Sequence, residues 1–430
     1  MSVLHDVLAR KIPDWRDQAE ELVSRHGEVK ISEVTVQQAF GGMRGVKALV
    51  CDTSYVDPEE GVFIRGIPVR ELTERLPEEV FFLLCTGELP SADQRRALQA
   101  DLMERVTVPQ YVWNLIYQMP PEAHPMAMLS SAILMLERQS AFQKQYAAGL
   151  KREALWKPAL DDILDMLAKV PIIAAGIYRI RFGKGMPIHP TAGLDWGAYY
   201  SEALGFCDGE ACRSSDFTRL ARLYLVLHCD HEGGNASANT CTTVASTLSD
   251  PYLAVSAGLN ALSGPLHGVA NQNALQYVLQ INRQFGGPPT EDQLRELVWE
   301  RLNNGQVIPG YGHAVLRATD PRFSALYEFG KQHCDDDPVF QTVDRMFHVV
   351  PDVLKEQGKA KNPYPNVDAV SGSLVYHYGI KEFSYYTVLF AISRCMGMTA
   401  QVLMDRALDI PIRRPKSIST RWLREHVNGG

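Results

Sequence analysis

Three short turns rich in glycine and proline each hold one side chain able to move a proton. They are Ser263-Gly-Pro-Leu-His267-Gly, Ile308-Pro-Gly-Tyr-Gly-His313-Ala and Tyr364-Pro-Asn-Val-Asp368-Ala. Imidazole and carboxylate are common general acids and bases, and connections between rigid elements are where functional groups concentrate. A single histidine beside glycines is ordinarily structural. Three such turns in the C-terminal half, followed by cationic residues, point instead to one shared site. A fourth segment, His228-Cys-Asp-His231-Glu-Gly-Gly-Asn235, adds two histidines at the end of an apolar stretch. A metal site on His228, His231 and Glu232 is disfavoured, because their order matches neither H-E-x-x-H nor H-x-x-E-H.

One charge is out of place. Arg394 lies near the middle of Tyr386–Met404, YTVLFAISRCMGMTAQVLM, a stretch long enough to cross a bilayer. With Ser393, Thr399 and Gln401 around it and no second span elsewhere, the segment reads as a buried core helix. A guanidinium inside such a helix needs an anion, supplied either by a structural carboxylate or by a ligand.

The elements that must hold these groups are mainly α. Helical apolar spacing fits residues 75–106, 126–149, 158–182, 215–230, 268–285, 339–357 and 384–408. Ser91–Gln94 and Thr290–Gln293 read as capping boxes, with Gly305 as a stop after the second helix. Gly61–Pro68 alternates and predicts a minor hairpin. Hydrophobic residues at 46% and charged residues at 22% exclude a disordered or collagen-like chain. The net charge of −7 argues against a broad nucleic-acid surface, so an anion must be met by a few placed cations.

Eight cysteines without a C-x-x-C pair, mostly in apolar stretches, predict a reducing compartment and no structural disulfide. The start, MSVLHDVLARKIPDW, carries Asp6 and Asp14 and lacks a continuous apolar region. A cytoplasmic location is expected, with the mitochondrial matrix as the alternative for a processed eukaryotic chain.

GPLHGVANQ, PGYGHAVLRATDPRF, NPYPNVDAVSG and LHCDHEGGN resemble four signature segments of the citrate synthase family. The match runs in order from Phe40-Gly-Gly-Met-Arg44-Gly through DPEEGVFIRGIP and LLCTGELP to RRPKSIST, and is most similar to the eukaryotic, mitochondrial-type branch. The resemblance implies condensation of acetyl-CoA with oxaloacetate and hydrolysis of the thioester to citrate and CoA, the entry step of the tricarboxylic acid cycle. It implies no cofactor and no metal, acetyl-CoA being a substrate. Propionyl-CoA on the same machinery is the near alternative.

The same resemblance assigns roles. Asp368 matches the base, His267 the donor to the thioester oxygen and His313 the group that polarises the oxaloacetate carbonyl. His231, Arg322 and Arg394 match oxaloacetate-binding positions, and Arg414 matches an arginine contributed to the neighbouring site of a homodimer. Arg44, Lys144, Val307, Ile308, Gly310, Tyr311, Arg317, Lys361 and Asn366 match CoA-binding positions. A large helical domain over 1–268 and 375–430 and a small one over 269–374 are implied as well. Two positions depart from the pattern: Lys144 stands where relatives usually have Arg, and Val370 where they usually have His.

Three expectations concern mechanism. Asp368, at the start of a helical run, is held ionised by the helix dipole, so position and not basicity carries its step. His267 is a neutral donor whose second nitrogen accepts from the backbone or Ser263, again through the dipole. Arg322 and Arg394 are ligands for substrate and not fold-stabilising ion pairs.

Overall fold

The computed structural model describes residues 2–313 and 315–428. Among them are nineteen α-helices and one three-stranded antiparallel sheet, Ser54–Asp57, Gly61–Ile64 and Ile67–Pro68 in that order. The mainly α expectation holds, and the small hairpin extends into this sheet with Tyr55 opposite Phe63. Both capping boxes are made reciprocally, Ser91 with Gln94 and Thr290 with Gln293.

The Tyr386–Ala407 helix runs through the core. Almost every residue on it is buried, Arg394 included at 2% exposure. It is long and apolar enough to cross a membrane, but it is enclosed by other helices, among them Trp156–Arg181, Ala236–Ala245 and Pro251–Leu262. At Gly397 it touches the His228–Asn235 loop so closely that a Cβ there would overlap Cys229 O and the Asp230 carboxylate. Asp230 is fully buried and accepts from Thr53 Oγ1 (2.6 Å), Ser54 Oγ (2.9 Å) and Gln401 Nε2 (2.8 Å). That one carboxylate ties the histidine loop to both the small sheet and the central helix.

Some expectations are corrected. The 75–106 stretch is two helices, Pro77–Thr86 and Ala92–Glu104, because Gly87 turns left-handed at φ 79° and ends the first. Cys207 and Cys212 form a disulfide, against the expectation of none. The turn and short helix between them bring their Cα atoms to 5.1 Å, within bridging distance. The other six cysteines are free. Helices at Trp196–Leu204 and Pro251–Leu262 escaped the periodicity because most of their residues are buried, and Ala236–Ala245 because its small residues carry little apolar contrast.

Candidate active site

The three turns, the histidine loop and the central helix meet at a cavity of about 140 Å³. His231, His267, His313, Asp368 and Arg394 from those segments line it together, joined by Arg322 from the start of the Pro321–His333 helix. Their convergence follows from backbone lacing. Tyr311 bridges Pro365, Gly312 N donates to Tyr364 O (3.1 Å) and Asn366 N donates to Gly310 O (2.9 Å). Gly310, at φ 83°, lies so close to Ala369 that an added Cβ would sit 2.7 Å from its Cα. The His313 and Asp368 turns are thus one rigid unit.

His267 precedes the Ala270–Phe285 helix. Its Nε2 lies 3.3 Å from the Ser237 amide nitrogen and 2.9 Å from Ser237 Oγ. An amide can only donate, so Nε2 accepts and the ring proton belongs to Nδ1. Burial, then Arg394, pushes its pKa down to about 4. The neutral donor is therefore present at pH 7. The partner is Ser237 and not Ser263, whose hydroxyl donates to Asn260 O (2.7 Å). Burial rather than the helix dipole is the leading cause.

His313 follows the same logic with the other nitrogen. Its Nδ1 accepts from the amides of Val315 (3.1 Å) and Leu316 (3.0 Å), leaving the proton on Nε2. Burial and Arg322 hold its pKa below the usual value. His231, 5.8 Å away ring to ring, is held far lower by burial, Arg322 and Arg394. All four imidazoles in the cavity are neutral, His228 included, whose pKa burial pushes down to about 3.

Asp368 begins the Asp368–His377 helix, as its expected position requires. Its pKa is nevertheless raised to about 6 by burial, which outweighs the pull of Arg322. Asp368 is still mostly ionised at pH 7, as expected, but burial and not the helix dipole dominates its pKa. Desolvation wins, and the carboxylate gains basicity as well as position. Its own amide donates to Asn366 Oδ1 (2.9 Å), which fixes the turn beneath it.

Arg322 corrects a second expectation. It is an ion pair in the fold, bonded to Asp320 through Nε (3.1 and 3.2 Å) and Nη2 (2.8 Å). Asp320 is fully buried, caps the Pro321–His333 helix and accepts from Val367 N (3.2 Å). It therefore aims the arginine and braces the Asp368 turn at once. Breaking a buried pair leaves a stranded charge and costs about 3–5 kcal/mol. Asp320→Asn should accordingly lower the melting temperature in scanning fluorimetry, whereas an unchanged value would deny Asp320 this bracing role.

Arg394 differs. Its Nε donates to His228 O (3.3 Å), its Nη1 to Asn235 Oδ1 (3.2 Å), and it packs 4.7 Å from the Phe390 ring centre. Among the described residues no carboxylate pairs with it, and none of its Nη2 or Arg322 Nη1 bonds to protein. Burial lowers its pKa to about 10, so it stays charged. Arg394, without a carboxylate of its own, suits an anion in the cavity, and Arg322 lines the same cavity beside its Asp320 pair.

The CoA positions divide. Val307, Ile308 and Tyr311 line a neighbouring cleft of about 370 Å³ together with Gln357, Lys359 and Asn362. Arg44, Lys144, Arg317 and Lys361 are exposed and line neither cavity. Asn366 lies in the catalytic cavity, with its amide committed to Gly312 O (2.9 Å) and the Asp368 amide, so it positions the turn. Gly310 likewise serves close packing, and its carbonyl is already taken by Asn366 N. Arg414 is exposed and does not line its own chain's cavity.

Sequence reasoning missed Ser237, Asn235 and Asp320 as site residues. Asp320 had a readable signal, an Asp directly before Pro at a helix start. Among the described residues no three His, Cys, Asp or Glu side chains are grouped to hold a metal.

Known proteins resemble the chain throughout. The citrate synthase, C-terminal domain family matches residues 42–416. Citrate synthase 4, mitochondrial, of Arabidopsis thaliana is 46% identical over 98% of this chain and 90% of its own length. The probable mitochondrial citrate synthase of Glossina morsitans morsitans is 45% identical over 99% and 93%. The crystal structure of citrate synthase from Pyrobaculum aerophilum superposes with a TM-score of 0.79 at 28% identity, covering 88% of this chain and 92% of that one. Likeness of this extent reaches well beyond the histidine turns into the scaffold that positions them, and the chain belongs to the citrate synthase family.

Proposed function

We infer that this protein is a citrate synthase: it joins acetyl-CoA to oxaloacetate and hydrolyses the citryl-CoA formed, giving citrate and CoA. The observation that carries the reading is the pair of buried guanidinium groups, Arg322 and Arg394, beside two neutral imidazole donors and one basic carboxylate. A dianionic keto acid answers the two arginines. His231 and His313 then flank the ketone, with His313 Nε2–H donating to its oxygen.

The acetyl methyl is a weak carbon acid. Asp368 takes its proton while His267 Nδ1–H donates to the thioester oxygen, where the enolate charge develops. The new carbanionic carbon attacks the ketone, and the developing alkoxide is met by His313. Water then adds to the thioester carbonyl and CoA leaves as the thiol. Every step is redox-neutral, so we propose no cofactor. With methyl-labelled acetyl-CoA, the label should appear in a methylene carbon of citrate; label recovered only as acetate would reject the condensation.

The raised pKa of Asp368 sets a pH limb. The base works ionised, so kcat/KM for acetyl-CoA should be half lost near pH 6 and fall about tenfold per further unit. His267, already neutral well below that, adds no second limb there. A profile flat down to pH 5 would contradict this assignment.

We further propose that 269–374 is the small domain and closes on the large one. His231, His267 and Arg394 come from outside that range and His313, Arg322 and Asp368 from inside it, so the cavity straddles the boundary. CoA would lie along the Val307–Tyr311 cleft. A homodimer is supported by Arg414, exposed in its own chain beside exposed Ile412, Ile418 and Trp422. Co-expressed Arg414→Ala and Asp368→Asn chains should then recover activity that neither homodimer has; failure to recover would refute shared sites. The mitochondrial names of the relatives favour the mitochondrial alternative over the cytoplasmic expectation.

A further inference from the structure

A second cavity, of about 220 Å³, lies between the Ala270–Phe285 and Glu291–Asn303 helices, and no residue in it takes part in the reaction above. It is an open groove with Gln280, Gln284, Glu300, Asn304 and Gln306 exposed along it, of a size for a small polar ligand. Its floor includes Tyr277, 6% exposed, whose hydroxyl is buried without a hydrogen-bond partner. The walls carry four amide side chains, Gln280, Gln284, Asn304 and Gln306.

The charges select the ligand. Glu300 and Arg301 both line the cavity, and neither forms an ion pair among the described residues. The Arg301 guanidinium lies 4.6 Å from the Tyr277 ring centre, and its Nε donates to Val307 O (2.8 Å). A dianion would gain Arg301 but be repelled by Glu300, and a simple cation would meet the reverse. A zwitterion satisfies both, with carboxylate on Arg301 and ammonium on Glu300. The four amides are then left for a short polar side chain. We propose that this pocket binds a free α-amino acid with a short amide or hydroxyl side chain.

Occupancy should be felt next door. Gln306 lines both this pocket and the Val307 cleft, and the Arg301–Val307 bond joins their walls. Resting on the proposal that CoA occupies that cleft, ligand binding should shift the KM for acetyl-CoA and leave that for oxaloacetate unchanged.

The direct test is titration calorimetry of the full chain with L-glutamine, L-asparagine, L-serine and L-threonine. At least one should bind saturably with Kd below about 1 mM. Glu300→Gln and Arg301→Gln should each weaken it about tenfold without changing the melting temperature, one lost polar contact being worth that much. Glutarate, which lacks the ammonium, should not bind. Failure of all four to bind, affinity unchanged in both variants, or glutarate binding as tightly would each overturn the proposal. Calorimetry reads the pocket whether or not the chain turns over, so this failure is separate from failure of the synthase assignment.

Discussion

Replacing Asp368 with Asn should lower turnover by about 10²–10⁴, the usual worth of a positioned general base, while leaving oxaloacetate binding nearly intact. The two halves of that result come from geometry. Asp368 lies in the cavity but is not among the groups that answer oxaloacetate's carboxylates, Arg322 and Arg394 being those. Asn keeps the size and polarity at the helix start, so the turn held by Asn366 survives. What disappears is an ionisable oxygen whose pKa burial has raised to about 6. A stronger base narrows the gap to the carbon acid. Steady-state kinetics on a variant of wild-type melting temperature check this, and near-normal turnover would remove Asp368 from the role of base.

Arg394→Met should uncouple substrate binding from stability. In the wild type, oxaloacetate at about 100 times its Kd contributes about 2.7 kcal/mol by mass action. The variant should lose that protection entirely. Its melting temperature without ligand should be unchanged or higher, because a buried charge with no carboxylate partner is gone and Met fills much of the stem volume. The partners left behind are modestly affected. His228 O loses one donor, and Asn235 Oδ1 still accepts from Ser237 Oγ (2.8 Å) and Ala238 N (3.1 Å). Collapse of the apo protein would instead mean that Arg394 holds the fold together.

Much of the site was legible because its residues sit on punctuation. His267, His313 and Asp368 lie in turns that glycine and proline mark, and Arg394 breaks the apolar run of its own helix. Other parts depend on contacts that no local pattern carries. Ser237 reaches His267 across thirty positions of chain, from a helix of small residues with nothing to flag it. The turn-positioning work of Asn366 could not be read, because its partner Gly312 O appears only when two turns fold together. The basicity of Asp368 was misjudged for a related reason: the helix start is visible in the sequence, whereas burial is a property of the assembled cavity. The Cys207–Cys212 bond was missed because spacing alone does not show a turn that brings two thiols within reach.

The central claim is that these residues together condense two substrates. It is tested most directly by following free CoA thiol from acetyl-CoA with the purified chain, with and without oxaloacetate. Rapid thiol release that requires oxaloacetate, and that falls by about 10²–10⁴ in Asp368→Asn, is the predicted result. Thiol release that proceeds equally without oxaloacetate, or no release with both substrates present, would contradict the account.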